Sequence, residues 1–415
     1  MGEETEELDL EAVYRDLHEN PELSFQEFRT AEIAAKHLEE LGYEVTRGVG
    51  KTGVVGILQR GEGPTVLVRA DMDALPVEEE TGLPYASTKI GTKADGTPTP
   101  IMHACGHDMH TTCLMGTAAK LAADPDWTGR LMLVFQPAEE LGQGARAMID
   151  DGIFDRFGKP DIVLGQHVAP LPAGVFGVHP GPAFAASDAL YVELYGKGGH
   201  GSRPETTVDP VVMAANYITL LQEIVSRNIA ATEMAVVTVG SVHAGSAANI
   251  IPDHAELKIS VRTFDPEVRE TVLGKIKHYA KAAAFAAGAD REPLVETSYS
   301  FPAVSNDPAA CTEVEALFKT IPAIVIDPGN VTGSEDVGLF ALAAEAPICY
   351  WLLGGANPAL FKHAKTPREV QDIVATLPSN HSPLFYPVIQ PTIKYGVEAL
   401  YLAAKNWLGE KEPLE

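Results

Sequence analysis

Between Met102 and His110 the chain packs three histidines, a cysteine and an aspartate into nine residues, a crowding that few interiors tolerate. Imidazole and thiolate are the usual donors to zinc and neighbouring transition metals. A Cys-x-His pair such as Cys105 and His107 reaches one ion only from an irregular loop or turn. The run therefore calls for a loop laid against a site, not regular core. Taken alone it fits a metal site no better than a mixture of capping and solvated histidines, with Asp108 capping the helix that follows.

Three further clusters change that balance. Gln136-Pro137-Ala138-Glu139-Glu140 places two carboxylates behind the buried apolar run Leu131 to Phe135. Adjacent side chains on extended backbone point apart, so one carboxylate can ligate while the other serves as general base. A Glu pair by itself is more often a solvated loop. His167, behind the apolar Asp161 to Gly165, and His381, in Asn380-His381-Ser382-Pro383, are each weak signals. Together, Cys105, His107, Glu140, His167 and His381 form a mixed S, N and O donor set sized for two ions.

The scaffold these clusters need is legible in outline. A chain of 415 residues exceeds one hydrophobic core, so two domains are expected. Ala31 to Leu41 reads as a helix ending at Gly42, and Ala104 to Ala123 as a helix behind a glycine-containing loop. Gly53 to Leu58 and Thr65 to Arg69, separated by Gly61-Glu62-Gly63-Pro64, read as a hairpin. Such alternation means α/β. Ligands then collect beyond the carboxyl ends of strands, where Asp71 to Asp73, Glu139-Glu140 and Gln166-His167 fall.

After the Pro- and Gly-rich stretch Pro170 to Pro182, the character changes near Ala186. A strand from Leu190, a helix from Pro210 to Arg227, strands Ala235 to Val242 and Ala255 to Thr263, a helix from Pro266 to Ala287 and a strand near Pro293 to Tyr299 give a βαββαβ order. The expected organisation is an α/β catalytic domain of residues 1–186 and 300–415, interrupted by a smaller α+β module of residues 187–299.

Composition removes several functions. A hydrophobic fraction of 45% with 21% charged residues is that of a soluble globular protein, and no apolar run approaches bilayer length. A net charge of −26 repels phosphate backbones, and Lys and Arg form no stripe to overcome it, so neither nucleic acid nor membrane is an expected partner. Met1 to Leu10 is acidic and lacks the features of a secretory leader, so a cytoplasmic location is expected. Cys113, Cys311 and Cys349 read as small buried hydrophobes.

The ordered stretches Arg69 to Pro76, Met102 to His107, Gln136 to Glu140, Gly165 to His167, Gly198 to Pro204, Asn249 to Pro252, Gly333 to Asp336 and Asn380 to Pro383 span nearly the whole chain. The chain resembles the metal-dependent amidohydrolase family of aminoacylases, hippurate hydrolases and auxin-conjugate hydrolases. The resemblance implies a zinc-peptidase-like α/β/α catalytic domain with an inserted lid, residues 187–299, that also serves dimerisation. It implies two divalent ions held by Cys105, His107, Glu140, His167 and His381, with Glu139 as catalytic base toward a metal-bound water. His200 and Asn249 match substrate-contacting positions, and His200 is expected on the oxyanion of the tetrahedral intermediate, in its own subunit or across a homodimer formed through residues near 190 to 300.

The expected activity is hydrolysis of the amide bond of N-acyl amino acids, with a dipeptidase or carboxypeptidase of the same mechanism as the alternative. Ligand softness places zinc first among the metals, with manganese, cobalt or nickel also compatible. Two readings from other classes are a Cys105 nucleophile activated by a neighbouring histidine, and a metal-binding or peptide-binding protein without activity. For His200 the plainer reading is a solvated residue among turn-forming glycines. Two features depart from the family pattern. The segment Ala356 to Ser379 is longer than usual, reshapes the pocket and brings His363 as a rival ligand to His381, and Val337 stands where relatives commonly carry an aromatic.

Overall fold

The computed structural model describes residues 8–409, so Met1 to Glu7 of the acidic N-terminal stretch lie outside the described residues. Its dominant element is a mixed eight-stranded sheet. The strands are β1 (Glu44–Val49), β2 (Gly53–Arg60), β3 (Thr65–Asp71), β4 (Gly129–Gln136), β5 (Ile162–Pro172), β6 (Val175–Gly177), β7 (Ile324–Ile326) and β8 (Ile348–Ala356), in the order β1-β2-β4-β3-β5-β8-β6-β7. Val66 to Val68, Leu131 to Phe135 and Ile162 to Leu164 are buried throughout, as strands covered on both faces must be. β3, β4, β5 and β8 run parallel, so their carboxyl ends share one edge of the sheet. β3 has β4 on one side and β5 on the other, and a crevice opens where successive crossovers leave in opposite directions.

The expected hairpin does not form. β4 lies between β2 and β3, and β2 turns back instead on β1. Val54 and Val55 are fully buried, and a two-strand ribbon could not cover them, whereas an interior strand position does.

Among the helices are α1 (Leu10–Glu19), α2 (Phe28–Glu40), α3 (His107–Ala123), α4 (Pro367–Val374) and α5 (Ile389–Trp407). α3 is buried on nearly every side and touches α1, α2, α5 and β3. Two of its threonines close onto the helix itself, Thr112 Oγ1 donating to the Asp108 carbonyl and Thr117 Oγ1 to that of Cys113. Asp108 is not the cap. It stands one residue inside the helix, behind Gly106 and His107, and its carboxylate pairs with His18 Nδ1 of α1 at 2.6 Å. The longer segment after β8 folds into a 3-10 turn, Pro358–Phe361, and α4, which starts on a Thr366/Glu369 capping box.

Residues Pro182–Val304 and Asn330–Glu335 form a second compact unit; the first comprises the chain up to Gly181, Ser305–Gly329 and the part from Asp336 onward. The second unit begins inside the Pro- and Gly-rich stretch. Its antiparallel sheet has the order 235–244, 254–263, 186–195, 294–301, and helices Pro210–Glu223 and Pro266–Ala287 share a core of Leu190, Val192, Tyr217, Leu257 and Ile276 with it. Both helices start on an aspartate cap, Asp209 or Asp265, followed by proline at the first helical position. Cys105, Cys113, Cys311 and Cys349 are free and buried, and among the described residues no helix is long and apolar enough to cross a membrane.

Candidate metal centre

The polar clusters at the carboxyl edge converge. Cys105 Sγ lies 3.5 Å from His167 Nε2, and His107 Nε2 lies 3.9 Å from Glu139 Oε2 and 3.8 Å from Glu140 Oε1. His381 Nε2 reaches Glu140 Oε2 at 3.4 Å. The triples Cys105/His107/His167, Cys105/Glu140/His381 and His107/Glu139/Glu140 each have their donor atoms within 4.8 Å of one another. Cys105, His107 and Glu140 each belong to two triples, so the donors are spread for more than one ion. His363, the rival of His381, is exposed and joins none of these groups among the described residues.

Unusual backbone makes the convergence possible. Gly106, with φ of 82°, lets Cys105 and His107 turn to the same side, and a side chain there would drive its Cβ to 2.4 Å from Val168 Cγ1. His381 and Ala138 hold φ of 73° and 48° without being glycine, conformations that surrounding structure must enforce. The His381 N–H donates to the Ala104 carbonyl, and Asn380 Nδ2 donates to the carbonyls of Cys105 and Val168, which locks the loop in place.

Two local expectations are corrected. Glu139 and Glu140 do not diverge on extended backbone: β4 ends at Gln136, the left-handed Ala138 turns the chain, and both carboxylates approach His107. His167 does not follow a strand either. β5 continues to Pro172 because β8 pairs with it across His167.

Asp73, part of the noted cluster but given no role from sequence, organises the site. Its Oδ1 accepts from His107 Nδ1 at 3.2 Å and from the Glu139 N–H at 3.1 Å; its Oδ2 accepts from the Glu140 N–H at 3.1 Å and from Ser24 Oγ at 2.6 Å. Holding the Nδ1 proton leaves His107 Nε2 as the donor atom. His167 Nδ1 likewise donates to the Val168 carbonyl, which frees Nε2 toward Cys105. The signal available was Asp71-Met72-Asp73, two acids just past a strand end, but their partners are remote in sequence.

The charge balance invites cations. Burial, then Glu140, Glu139 and Asp71, push the Cys105 thiol well above its usual range. Burial alone would lower His107, yet Asp71 and Asp73 outweigh it and raise it to about 10. Burial takes His167 down to about 4. His107 Nε2 and Glu140 Oε1 are buried without a hydrogen-bond partner, an expensive arrangement unless a ligand completes it. Sulfur, imidazole and carboxylate donors with unmet valence fit divalent ions.

His200 and Asn249 lie in the second unit. His200 is paired with Ile250 in the ribbon Gly199–His200/Ile250–Ile251, and the Asn249 carbonyl accepts from the Gly201 N–H at 2.8 Å. His200 is exposed, and its Nδ1 accepts from the Ser202 N–H at 3.1 Å.

The family model of "Peptidase family M20/M25/M40" matches residues 67–377. A hippurate hydrolase of Campylobacter jejuni is 44% identical over 337 residues, covering 80% of this chain and 85% of that one. An N-acetyl-L-cysteine deacetylase of Bacillus subtilis is 40% identical over 339 residues, covering 81% and 78%. Among solved structures, a Bacillus subtilis dinuclear metal binding peptidase from the M20 family superposes with a TM-score of 0.74 at 30% identity, covering 96% of this chain and 97% of that one.

Proposed function

The chain belongs to peptidase family M20/M25/M40 and is a metal-dependent hydrolase of amide bonds, and from that premise we propose that it cleaves N-acyl amino acids with Glu139 as the general base. One observation carries the assignment. Glu139 lies beside His107 and Glu140 at the rim of a donor set in which Cys105, His107, Glu140, His167 and His381 already offer five ligands, and a protein that only bound metal would have little use for a second carboxylate there. The names of the relatives, hippurate hydrolase and N-acetyl-L-cysteine deacetylase, support the substrate class.

Those five donors would hold two ions, zinc first because Cys105 is a soft ligand. When bound, the ions supply Lewis-acid polarisation of the amide carbonyl and acidify the attacking water. Glu139 takes the proton of that water and returns it to the departing amine nitrogen, acting as base and then as acid. Asp73 supports both tasks by fixing the His107 tautomer and the backbone of the two glutamates. The Cys105 nucleophile is disfavoured, because burial and the surrounding carboxylates suppress a bare thiolate.

We assign His200 and Asn249 to the substrate. The Ser202 N–H occupies His200 Nδ1 as an acceptor, so Nε2 carries the proton and is the atom to donate to an oxyanion. We further assign residues 187–299 as a lid and as the interface of a homodimer; the exposed Val236 and Val242 on the edge strand 235–244 and the exposed Ile250 support that contact. The four free thiols support a reducing compartment, the cytoplasm.

Glu139→Gln tests the core of the proposal on a panel of N-acyl amino acids with metal supplied. The expected result is a fall in kcat of at least ~10²-fold with metal content intact. Loss of metal in that variant, or failure of the unmodified enzyme to hydrolyse any member of the panel, overturns it.

A further inference from the structure

The loop between α1 and α2, residues 20–27, touches the supports of the donor cluster at two points. Ser24 Oγ donates to Asp73 Oδ2, and Glu27 Oε1 accepts the Ala138 N–H at 2.8 Å. Glu27 stands at the N-cap of α2, yet its side chain makes no capping hydrogen bond there. It is fully buried; its Oε1 also accepts the Phe25 N–H at 2.9 Å, and its Oε2 accepts from Thr52 Oγ1 at 2.6 Å. Asp9, Asp209 and Asp265 direct their oxygens to the helices they cap. Glu27 directs one of its own to a residue 111 positions away.

Its partners share a feature. Phe25 and Ala138, left-handed at φ of 61° and 48° without being glycine, donate to the same oxygen, and Lys51, at φ of 84°, precedes Thr52. Such conformations persist only where the surroundings over-determine them. The Ala138 carbonyl accepts from the Gly144 N–H at 3.0 Å, so the peptide groups on both sides of this residue are held. Glu139 comes next, and the turn at Ala138 is what brings its carboxylate to His107. Burial, followed by the Asp73 charge, raises the Glu27 carboxyl to about 7. The charge is therefore a burden at this position, and the acceptor oxygen is what the side chain contributes.

We propose that Glu27 is a positioning residue for the hydrolysis: its Oε1 fixes the left-handed turn at Ala138 and thereby the place of the Glu139 carboxylate. The inference rests on the reading of Glu139 as general base. A role in capping α2, or one that needs the charge, would rank substitutions in the opposite order. Aspartate keeps the charge and suits a helix N-cap, but it is one methylene too short to keep its reach to Ala138. Glutamine loses the charge but offers an oxygen at the same reach, and its amide can donate to the Thr52 hydroxyl.

The experiment measures kcat, KM and metal content on an N-benzoyl amino acid for the metal-loaded enzyme, Glu27→Gln and Glu27→Asp, the last also combined with Ala138→Gly. Glu27→Gln should keep most of kcat. Glu27→Asp should lose about tenfold or more in kcat with KM and metal content little changed, because misplacing a reacting group by about 1 Å can cost ~10²-fold. Against an Ala138→Gly background the same substitution should cost only a few-fold, because glycine takes up the left-handed conformation without help. Three results overturn the positioning role: Glu27→Asp at least as active as Glu27→Gln, a loss undiminished by Ala138→Gly, or a loss of rate matched by loss of metal. With Glu139→Gln inactive in the same assay, any of them leaves the amidohydrolase reading standing. Failure of the unmodified enzyme, or a Glu139→Gln variant as active as it, overturns that reading and the positioning role with it.

Discussion

Two buried polar clusters meet at Asp71, and they differ in how far the protein itself completes them. In the first, Arg69 Nη1 donates to Asp71 Oδ2 at 2.6 Å, Arg69 Nε to Gln136 Oε1 at 2.8 Å, and Gln136 Nε2 to Asp336 Oδ1 at 2.6 Å. Asp336 Oδ2 accepts from the Ala145 N–H, and His110 bridges Asp71 Oδ1 and the Val168 N–H. In the second, a few ångströms away, His107 Nε2 and Glu140 Oε1 face each other without a hydrogen-bond partner. Both use buried charges, which are costly in either setting. The closed network spends its groups on one another and so fixes the edge of the sheet, whereas the open one keeps its lone pairs for something absent from the sequence. Satisfaction of the donors, and not their residue types, separates scaffold from site.

Breaking the closed cluster is the severest way to test that distinction. Arg69→Met leaves Asp71 and Asp336 buried without their cation, and removing one partner from a buried ion pair costs about 3–5 kcal/mol. Burial pushes the Asp71 carboxyl up, and Arg69, followed by His107 and His110, holds it well below the usual range, so the lost cation is the main counterweight. Denaturant unfolding should show a loss of that size with or without added metal. A loss confined to the metal-loaded protein would merge the two clusters into one functional unit.

The candidate donors were legible as clusters because residue types group locally: Cys105 with His107, and Glu139 with Glu140. Their geometry was not, because it depends on remote partners. Asp73 reaches Ser24, His107 and Glu139; Asp108 meets His18 across α1; and β8, far along the chain, extends β5 past His167. The misread hairpin has the same origin. Nothing between Gly53 and Arg69 announces that residues 129–136 will fill the gap between the two strands. Periodicity reports burial and local propensity, while the identity of a strand's neighbour is a long-range choice.

His18 offers a pH readout of the closed kind of cluster. Its Nδ1 pairs with Asp108 Oδ2 and its Nε2 with Glu79 Oε1 at 3.1 Å, all buried. Burial alone would lower it, but the two carboxylates raise it from 6.5 to about 9. A raised folded-state value means the stabilisation is complete below pH 6.5 and is lost as pH climbs through about 9. The shift corresponds to roughly 3 kcal/mol at 1.36 kcal/mol per unit. Unfolding free energy should fall over that window in the unmodified protein, and His18→Gln should flatten the fall. An equally steep decline in the variant would assign the titration to another group.

The open cluster predicts the opposite response to mutation. Glu140→Gln removes a carboxylate from a site crowded by Glu139, Asp71 and Asp73, and leaves Cys105, His107, His167 and His381 with one donor fewer. Without metal, the variant should lose far less stability than Arg69→Met, because the attraction of Glu140 to His107 and His381 that it gives up is set against repulsion from Glu139 that it relieves. With zinc it should separate further from the unmodified protein. A ligand that binds only the folded state at a hundred times its Kd adds about 2.7 kcal/mol, and most of that gain should vanish with Glu140. Thermal unfolding with and without zinc measures both halves. If Glu140→Gln instead destabilised the metal-free protein as strongly as Arg69→Met, the cluster would be structural, and the unpartnered Glu140 Oε1 would lose its meaning as a mark of a ligand.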